Sequence, residues 1–448
     1  MRVSFNLLGK QLRVINRCLQ QMFSRQALEP LTMARMRELK FPESLSRRVK
    51  VTATGGERLL TNAGIAALER AVDTLYEASA GQRAWTRNDV WDAAREVYET
   101  CWQSRQEPES AQEFVDLVAE STKLKVQTHT FVAALHGVKL SGVDEIQLGE
   151  LRLVGSVKKL VQECAVSNED GLEKGFAKEL LQVPCLAGSK AGTFEAATRW
   201  YREQVHLAAG MLAVEAGASY ERAATSFCIE PGFERASRAA GSGHLFWNDD
   251  DKYLGRSVST GGGQLLDLTA ERVRELKQPG AFDHAFLILQ KHDRTELEDA
   301  IARAVYWYGD AHRDPVRVMQ FVKYWSCLEC LLGGPGEQLT ETLAVGVVTV
   351  LTYGHFRLLE ATDYAQNSKT VKRLYAARSK AVHRASHSHV TFRDVELLSG
   401  WTAWVIYNAI SFSHTGMGST KTLWQNVQRV ANRSDAAVSG ARRLDSDA

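Results

Sequence analysis

Helix-capping signals cut the last third of the chain into segments, and they constrain its fold more tightly than anything else in the sequence. Thr295 followed by Glu298 has the form of a capping box, in which hydroxyl and carboxylate each answer the other residue's amide. Asp314-Pro315 offers an N-cap with proline at the first helical position, and Gly333-Gly334 closes the segment after it. Thr391 with Asp394 marks another start. These signals and the apolar spacing predict helices over 295–312, 314–333, 338–361, 369–384 and 394–413, the last holding Trp401, Trp404, Ile406 and Ile410. Four or five helices on short loops pack as a bundle.

Upstream the pattern is mixed. Residues 1–28 read as a helix with Phe5, Leu8, Leu12, Ile15, Leu19 and Met22 or Phe23 on one face. Pro30 and Pro42 break the next stretch into irregular structure, and helices are expected over 57–77, 88–102 and 110–121, packed by Trp85, Trp91 and Trp102. From Lys125 the sequence turns β-rich: 126–135 and 146–154 read as a strand pair turning at Ser141-Gly142. Beyond it, helix-like segments at 157–162, 194–216 and 269–277 alternate with short strands near 220–229 and 285–290, and 241–263 reads as a long loop. The expected fold is mainly α with an α+β middle region and a C-terminal four- to five-helix bundle. Its expected divisions are 1–124, 125–290, 293–425 and a disordered, small and charged tail at 426–448.

At 448 residues the chain exceeds one ordinary core. The formal net charge of +2 does not mark the whole chain as a nucleic-acid binder, but residues 1–50 hold eleven Lys or Arg against three acids. That basic face suits phosphates or another protein, and equally a plain solvated surface. Seven scattered cysteines favour reduced thiols over a disulfide framework. The opening Met1–Phe23 lacks the apolar core of a secretory signal, and the longest apolar run, Leu343–Leu351, falls short of the ~18–20 residues that span a bilayer. A cytoplasmic protein without a membrane partner is expected.

Several apparent motifs dissolve on inspection. Asp249, Asp250 and Asp251 lack EF-hand spacing, Gly261–Gly263 lacks the Walker closure, and Gly188–Gly192 has similar residues in the wrong order, so each reads as a polar turn. Cys327 and Cys330 lie in an apolar helical run without a second pair, which favours core packing. His383, His387 and His389 lack a completing ligand and read as loop histidines rather than a metal cluster. No metal or other cofactor is expected.

One helix carries chemistry that core packing does not explain. Val371, Leu374, Tyr375, Arg378 and Val382 share a side of the 369–384 segment, putting an arginine into an apolar seam, and Ser368 or Thr370 can cap it. Glu329, a carboxylate in an apolar stretch, needs a partner, and Arg378 is the candidate. Arg378 and His383 have the form R-x4-H. With the Leu374-Tyr375 lead, the intervening Ser379, Lys380, Ala381 and Val382, and the 325–332 segment around Glu329, the region resembles the Apea-like group of HEPN-domain proteins. Leu135–Val138 and Ile146–Gly149 also resemble the stretch that often precedes that domain. The resemblance covers about 293–425. Ser379 stands where many active members carry Asn, Asp or His, and Arg384 where many carry Gly.

The resemblance implies a metal-independent endoribonuclease with Arg378 and His383 catalytic and Glu329, Ser379 and Tyr375 supporting. It also implies a homodimer through the bundle, a regulatory or antitoxin partner, and a setting in phage defence or as a toxin. Lys372, Lys380 and Arg384 would hold the RNA backbone. Five residues advance an α-helix by about 500°, so Arg378 and His383 lie about 140° apart around the axis. They converge only if the helix ends or bends, or if two copies meet across a two-fold interface, as the family implies. RNA supplies its own nucleophile, the 2′-OH. An imidazole can move the protons, and a guanidinium can hold the phosphoryl charge. The alternatives are a buried Arg378–Glu329 ion pair with a surface histidine, and a non-catalytic HEPN module that dimerises or binds nucleic acid or protein.

Overall fold

The computed structural model describes residues 5, 7–39, 46–52, 56–79, 84–155, 183–232, 242–247, 254–259, 264–277, 281–291, 293–333, 339–384 and 389–446. It is mainly helical with a small sheet region in the middle. The chain divides into two compact units, Met1–Phe131 with Ser189–Tyr201, and Val132–Gly188 with Arg202–Ala448. These boundaries differ from the expected ones, since the 125–290 stretch is shared between the units.

The first unit opens with α1 (Gly9–Met22), β1 (Leu28–Pro30), α2 (Met33–Glu38), β2 (Arg48–Lys50) and β3 (Glu57–Leu60). It continues through α3 (Asn62–Ala78), α4 (Arg87–Ser104) and α5 (Ala111–Leu124). The three short strands form an antiparallel sheet in the order β1-β3-β2. Sequence reading missed this sheet, because three- and four-residue strands carry too few alternations to register. It also placed Leu8 on the buried face, yet Leu8 is exposed just before α1 begins. Ile15, Met22, Leu68, Val72, Trp85, Tyr98 and Phe114 make the core, and Trp91 and Trp102 pack at its margin. Thr86 and Ser110 cap α4 and α5, each accepting a backbone amide three residues on.

The β-rich stretch gives β4 (Gln127–His136), β5 (Val138–Ser141), β6 (Glu145–Leu148) and β7 (Leu151–Val154), followed by β8 (Cys185–Gly192). The strands expected at 126–135 and 146–154 exist but do not pair with each other. A five-stranded sheet runs β6-β7-β8-β4-β9, where β9 is Glu230–Pro231 and is preceded by α6 (Phe194–Ser219) and α7 (Ala223–Ser226). The tight hairpin is instead β6–β7, turning at Gly149 with a φ of 66° that suits glycine. Gly188–Gly192, read as a turn, belongs to strand β8. The 241–263 loop contains an antiparallel hairpin of β10 (Ser242–Trp247) and β11 (Leu254–Ser259). The 157–162 helix, Asp249–Asp251 and Gly261–Gly263 lie outside the described residues. Strand β12 (Leu266–Thr269) pairs in parallel with β5.

Among the described residues helices then follow without an intervening strand: α8 (Ala270–Lys277), α9 (Ala281–Gln290), α10 (Glu296–Arg313), α11 (Arg317–Leu332) and α12 (Leu339–Tyr353). A 3-10 turn at Ala361–Asp363 leads into α13 (Tyr364–Arg384), then α14 (Phe392–His414) and α15 (Thr420–Ser446). Residues 285–290, expected as a strand, are helical because Phe282, Ala285, Phe286 and Leu289 bury one face at three- and four-residue spacing. Helix α11 begins after Val316, with Asp314 Oδ1 accepting the Val316 amide at 2.8 Å. The expected tail from 426 is helical to Ser446, and Leu423, Val427 and Ala431 extend its buried stripe past the expected boundary.

Helices α10, α11 and α14 pack against one another around Ile301, Val305, Tyr308, Phe321, Trp325, Leu328 and Ile406, and α12 packs on α13. Both expected capping boxes form, Thr295 with Glu298 and Thr391 with Asp394. Helix α6 crosses α10 in backbone contact: a Cβ on Gly309 would stand 2.8 Å from the Gly210 Cα. A Cβ on Gly217 would fall within the Tyr308 hydroxyl, which is itself bonded to Ser399 Oγ at 2.9 Å.

Candidate functional site

Helix α11 presents Glu329 one turn beyond the fully buried Trp325, and α13 presents Tyr375 and Arg378 to it. Val371, Leu374, Ala377 and Ala381 bury the inner face of α13, whereas Val382 is 47% exposed and lies outside the seam expected for it. The helix starts at Tyr364, so neither Ser368 nor Thr370 caps it. Thr349 on α12 instead bonds the Tyr364 hydroxyl at 2.8 Å at its first residue.

Arg378 Nη2 meets Glu329 Oε1 at 3.1 Å and Oε2 at 3.2 Å, and the Tyr375 hydroxyl donates to Oε1 at 3.3 Å. The Tyr375 ring stands edge-on to Trp325 with centroids 5.0 Å apart, which fixes the phenol. Its other neighbour is the Arg378 guanidinium, 5.5 Å from the ring centre. Burial pushes the Tyr375 phenol up and the Glu329 carboxylate adds to the shift, while the Arg378 charge opposes it. Tyr375 therefore stays a hydrogen-bond donor at neutral pH. Arg378 Nε is buried without a partner among the described residues. The carboxylate thus holds Nη2 of the guanidinium, and the phenol in turn holds the carboxylate.

His383 sits on the same helix but is exposed, with no hydrogen-bond or ion-pair partner among the described residues. Helix α13 runs on through Arg384, so the chain does not stop at His383, and the separation of about 140° applies. Of the other candidates, Ser379 is half-buried and Lys380 exposed. Lys372 pairs with Glu341 at 2.5 Å, which occupies its charge, and the backbone of Arg384 is the last turn of α13. His389 is exposed and His387 lies outside the described residues. Among the described residues no group of three or more His, Cys, Asp or Glu is placed to hold a metal ion. No described helix is long and apolar enough to cross a membrane.

The neighbouring contact between α13 and α14 is electrostatic. Arg373 Nη2 meets Asp394 Oδ1 at 2.7 Å, while Asp394 Oδ2 accepts the Thr391 amide and hydroxyl at 3.0 and 2.7 Å. Burial pushes the Asp394 carboxyl up, but the Arg373 and Thr391 donors outweigh it and hold it below the usual carboxylate range. One carboxylate therefore both caps α14 and anchors α13.

No protein-family model, curated protein or solved structure matches the chain.

Sequence reading found the Glu329–Arg378 pair because an acid and a base each interrupted an apolar helix. It did not find the His284–His414 pair, whose Nδ1 atoms stand 3.3 Å apart, since 130 residues separate them. It also assigned no role to the ring-lined cleft beside α14, built from two distant segments.

Proposed function

We propose that the chain is a metal-independent endoribonuclease of HEPN type, in which α10–α14 form the bundle and two copies meet across α13 in the cytoplasm. The observation that supports this most is the half-buried guanidinium of Arg378, held through Nη2 by Glu329, five residues before an exposed imidazole that has no partner among the described residues. An arginine already held in one orientation gives up less side-chain freedom when it takes up a phosphate.

In this reading His383 takes the proton of the ribose 2′-OH, whose oxygen attacks the adjacent phosphorus. Arg378 holds the charge that grows on the non-bridging oxygens. The P–O5′ bond breaks and the departing oxygen is protonated, leaving a 2′,3′-cyclic phosphate and a 5′-OH. Because His383 diverges from Arg378 on its own helix, one copy's histidine would work opposite the other copy's arginine. Lys380 and Arg384 would extend the basic surface along the RNA backbone. A role in phage defence or as a toxin, with a regulatory or antitoxin partner, belongs to the same reading.

A second reading is favoured by one observation: Arg378 already has a counter-charge in Glu329, and nothing in the described fold draws His383 toward it. The helices would then serve as a dimerisation or nucleic-acid- or protein-binding module without catalysis. Labelled single-stranded RNA and its DNA counterpart, incubated in EDTA with wild type, Arg378→Ala and His383→Ala, separate the two. RNA cleavage by wild type alone, with cyclic phosphate ends, supports the nuclease; cleavage that survives both substitutions, or none by any protein, counts against it.

A further inference from the structure

A cleft of about 690 Å³ opens within the second unit, between the end of α6 with the segment after it and the N-terminal half of α14. Four aromatic rings line it, Tyr220, Phe392, Trp401 and Trp404, together with Arg222 and Arg393. Neither Arg378 nor His383 does. The opening sits beside a helix crossing made by two glycines, where a Cβ on Gly400 would stand 3.7 Å from the Gly217 carbonyl oxygen.

The charges in this cleft are not spent on one another. The one carboxylate on its floor, Glu396, accepts the Ala224 and Thr225 amides at 3.1 and 2.9 Å and the Thr225 hydroxyl as well. Its charge is therefore answered by the first turn of α7. Arg222 and Arg393 are both exposed, and neither guanidinium has a hydrogen-bond or ion-pair partner among the described residues. Glu221, the other acid of the lining, is exposed at the rim and pairs with neither. Two rings are also left in water, Phe392 at 55% exposure and Tyr220 at 41%. Each has a neighbour against its ring, Phe392 the Arg317 guanidinium 3.3 Å from its ring centre and Tyr220 the Phe227 ring with centroids 4.7 Å apart.

We infer that this cleft binds a nucleotide, with the base against the aromatic wall and the phosphates on Arg222 and Arg393. Unpaired guanidinium groups favour an anion and repel the quaternary ammonium ligands that aromatic cages otherwise take. Exposed rings favour a flat, stackable body over a bare inorganic anion. The volume lies within the range of small-ligand sites, which span about 300–1,000 Å³. The inference stands apart from the nuclease reading, since it uses no residue of the Arg378 constellation.

Equilibrium dialysis of the full-length chain against ATP, GTP and UTP tests it, with inorganic triphosphate and adenosine as controls. At least one nucleotide is expected to saturate and to bind about tenfold or more tighter than either control. Arg222→Glu/Arg393→Glu, at two exposed positions, is expected to weaken that binding about tenfold or more without changing the unfolding midpoint. Phe392→Ser supplies a second variant, expected to lower nucleotide affinity while leaving triphosphate binding as it was. Affinity unchanged in the arginine variant overturns the inference. Triphosphate bound as tightly as every nucleotide, or no nucleotide bound up to about 5 mM, overturns it too.

Discussion

Arg378 meets both oxygens of Glu329 across the interface of α11 and α13, with side chains 20% and 24% exposed. A pair so placed is neither a surface bridge worth a few tenths of a kcal/mol nor a fully buried one. Removal of one partner falls between those limits. Glu329→Gln is expected to cost about 1–3 kcal/mol by leaving a guanidinium without its counter-charge, whereas His383→Ala should change stability by less than about 0.5 kcal/mol. Urea denaturation of the two variants checks this. Equal losses would mean that His383 is engaged in the fold.

A site shared between copies has a signature that a one-copy site lacks. Arg378→Ala and His383→Ala are each expected to reduce RNA cleavage by about 10²–10⁴. Mixing the two inactive variants should restore a fraction of the activity, because some mixed dimers assemble one intact arginine–histidine pair. No recovery from mixtures that demonstrably exchange subunits would place both residues' work within one copy.

The Asp394 carboxyl titrates below its unfolded value, because the Arg373 and Thr391 donors outweigh its burial. Its contribution to stability is therefore complete above the unfolded carboxylate pKa and is lost as pH falls through the folded one. Arg373→Gln should narrow that acid-dependent loss. Thermal midpoints measured for both proteins between about pH 2 and 6 test it, and superimposable profiles would show that Arg373 has no hold on Asp394.

His284 carries the same sign in a higher window. Burial holds its imidazole below the ordinary value, and His414 and Lys291 add to this while Glu298 opposes it. The unfolded chain takes up the proton first, so stability falls as pH drops below about 6.5. His414→Gln removes one repelling charge, so the His284 imidazole should titrate closer to its ordinary value and the acid-side loss of stability should shrink. Histidine proton resonances followed through a pH titration would report the shift directly.

Gly217 tolerates no side chain. A methyl there would occupy the space of the Tyr308 hydroxyl, which is buried and bonded to Ser399. Gly217→Ala is expected to destabilise the second unit by about 1–3 kcal/mol through overpacking. Gly416, whose φ is 93° but whose Cβ position is open, should react to alanine through backbone strain alone. Parallel denaturation of the two variants separates steric from conformational cost.

The helices from α10 onward were legible because their ends are chemically marked, and Thr295, Glu298, Thr391 and Asp394 do in the fold what their spacing says. The Glu329–Arg378 contact was legible because an ionised group in an apolar helix demands a partner, and few were available. Sheet order was not legible. Nothing in the alternation of 127–136 distinguishes Cys185–Gly192 from the nearer β6–β7 hairpin as its neighbour, because pairing is decided by topology. The cleft beside α14 was hidden for a related reason. Tyr220 and Trp404 lie far apart in sequence, and each alone is an ordinary aromatic.

The first compact unit takes in Ser189–Tyr201 after an excursion of more than fifty residues through the other. Inside it the Thr193 amide bonds the Ala84 carbonyl at 2.7 Å, and the Thr193 hydroxyl bonds Asp89 Oδ2 at 2.6 Å. Phe131 also stacks on Tyr201 with centroids 5.0 Å apart. On the ribosome, then, the N-terminal segment waits. Its last contacts become available only after Tyr201 has cleared the exit tunnel, when β5, β6 and β7 of the other unit have already been synthesised. A stop codon or a cloning boundary near residue 131 would leave an N-terminal fragment without its closing piece.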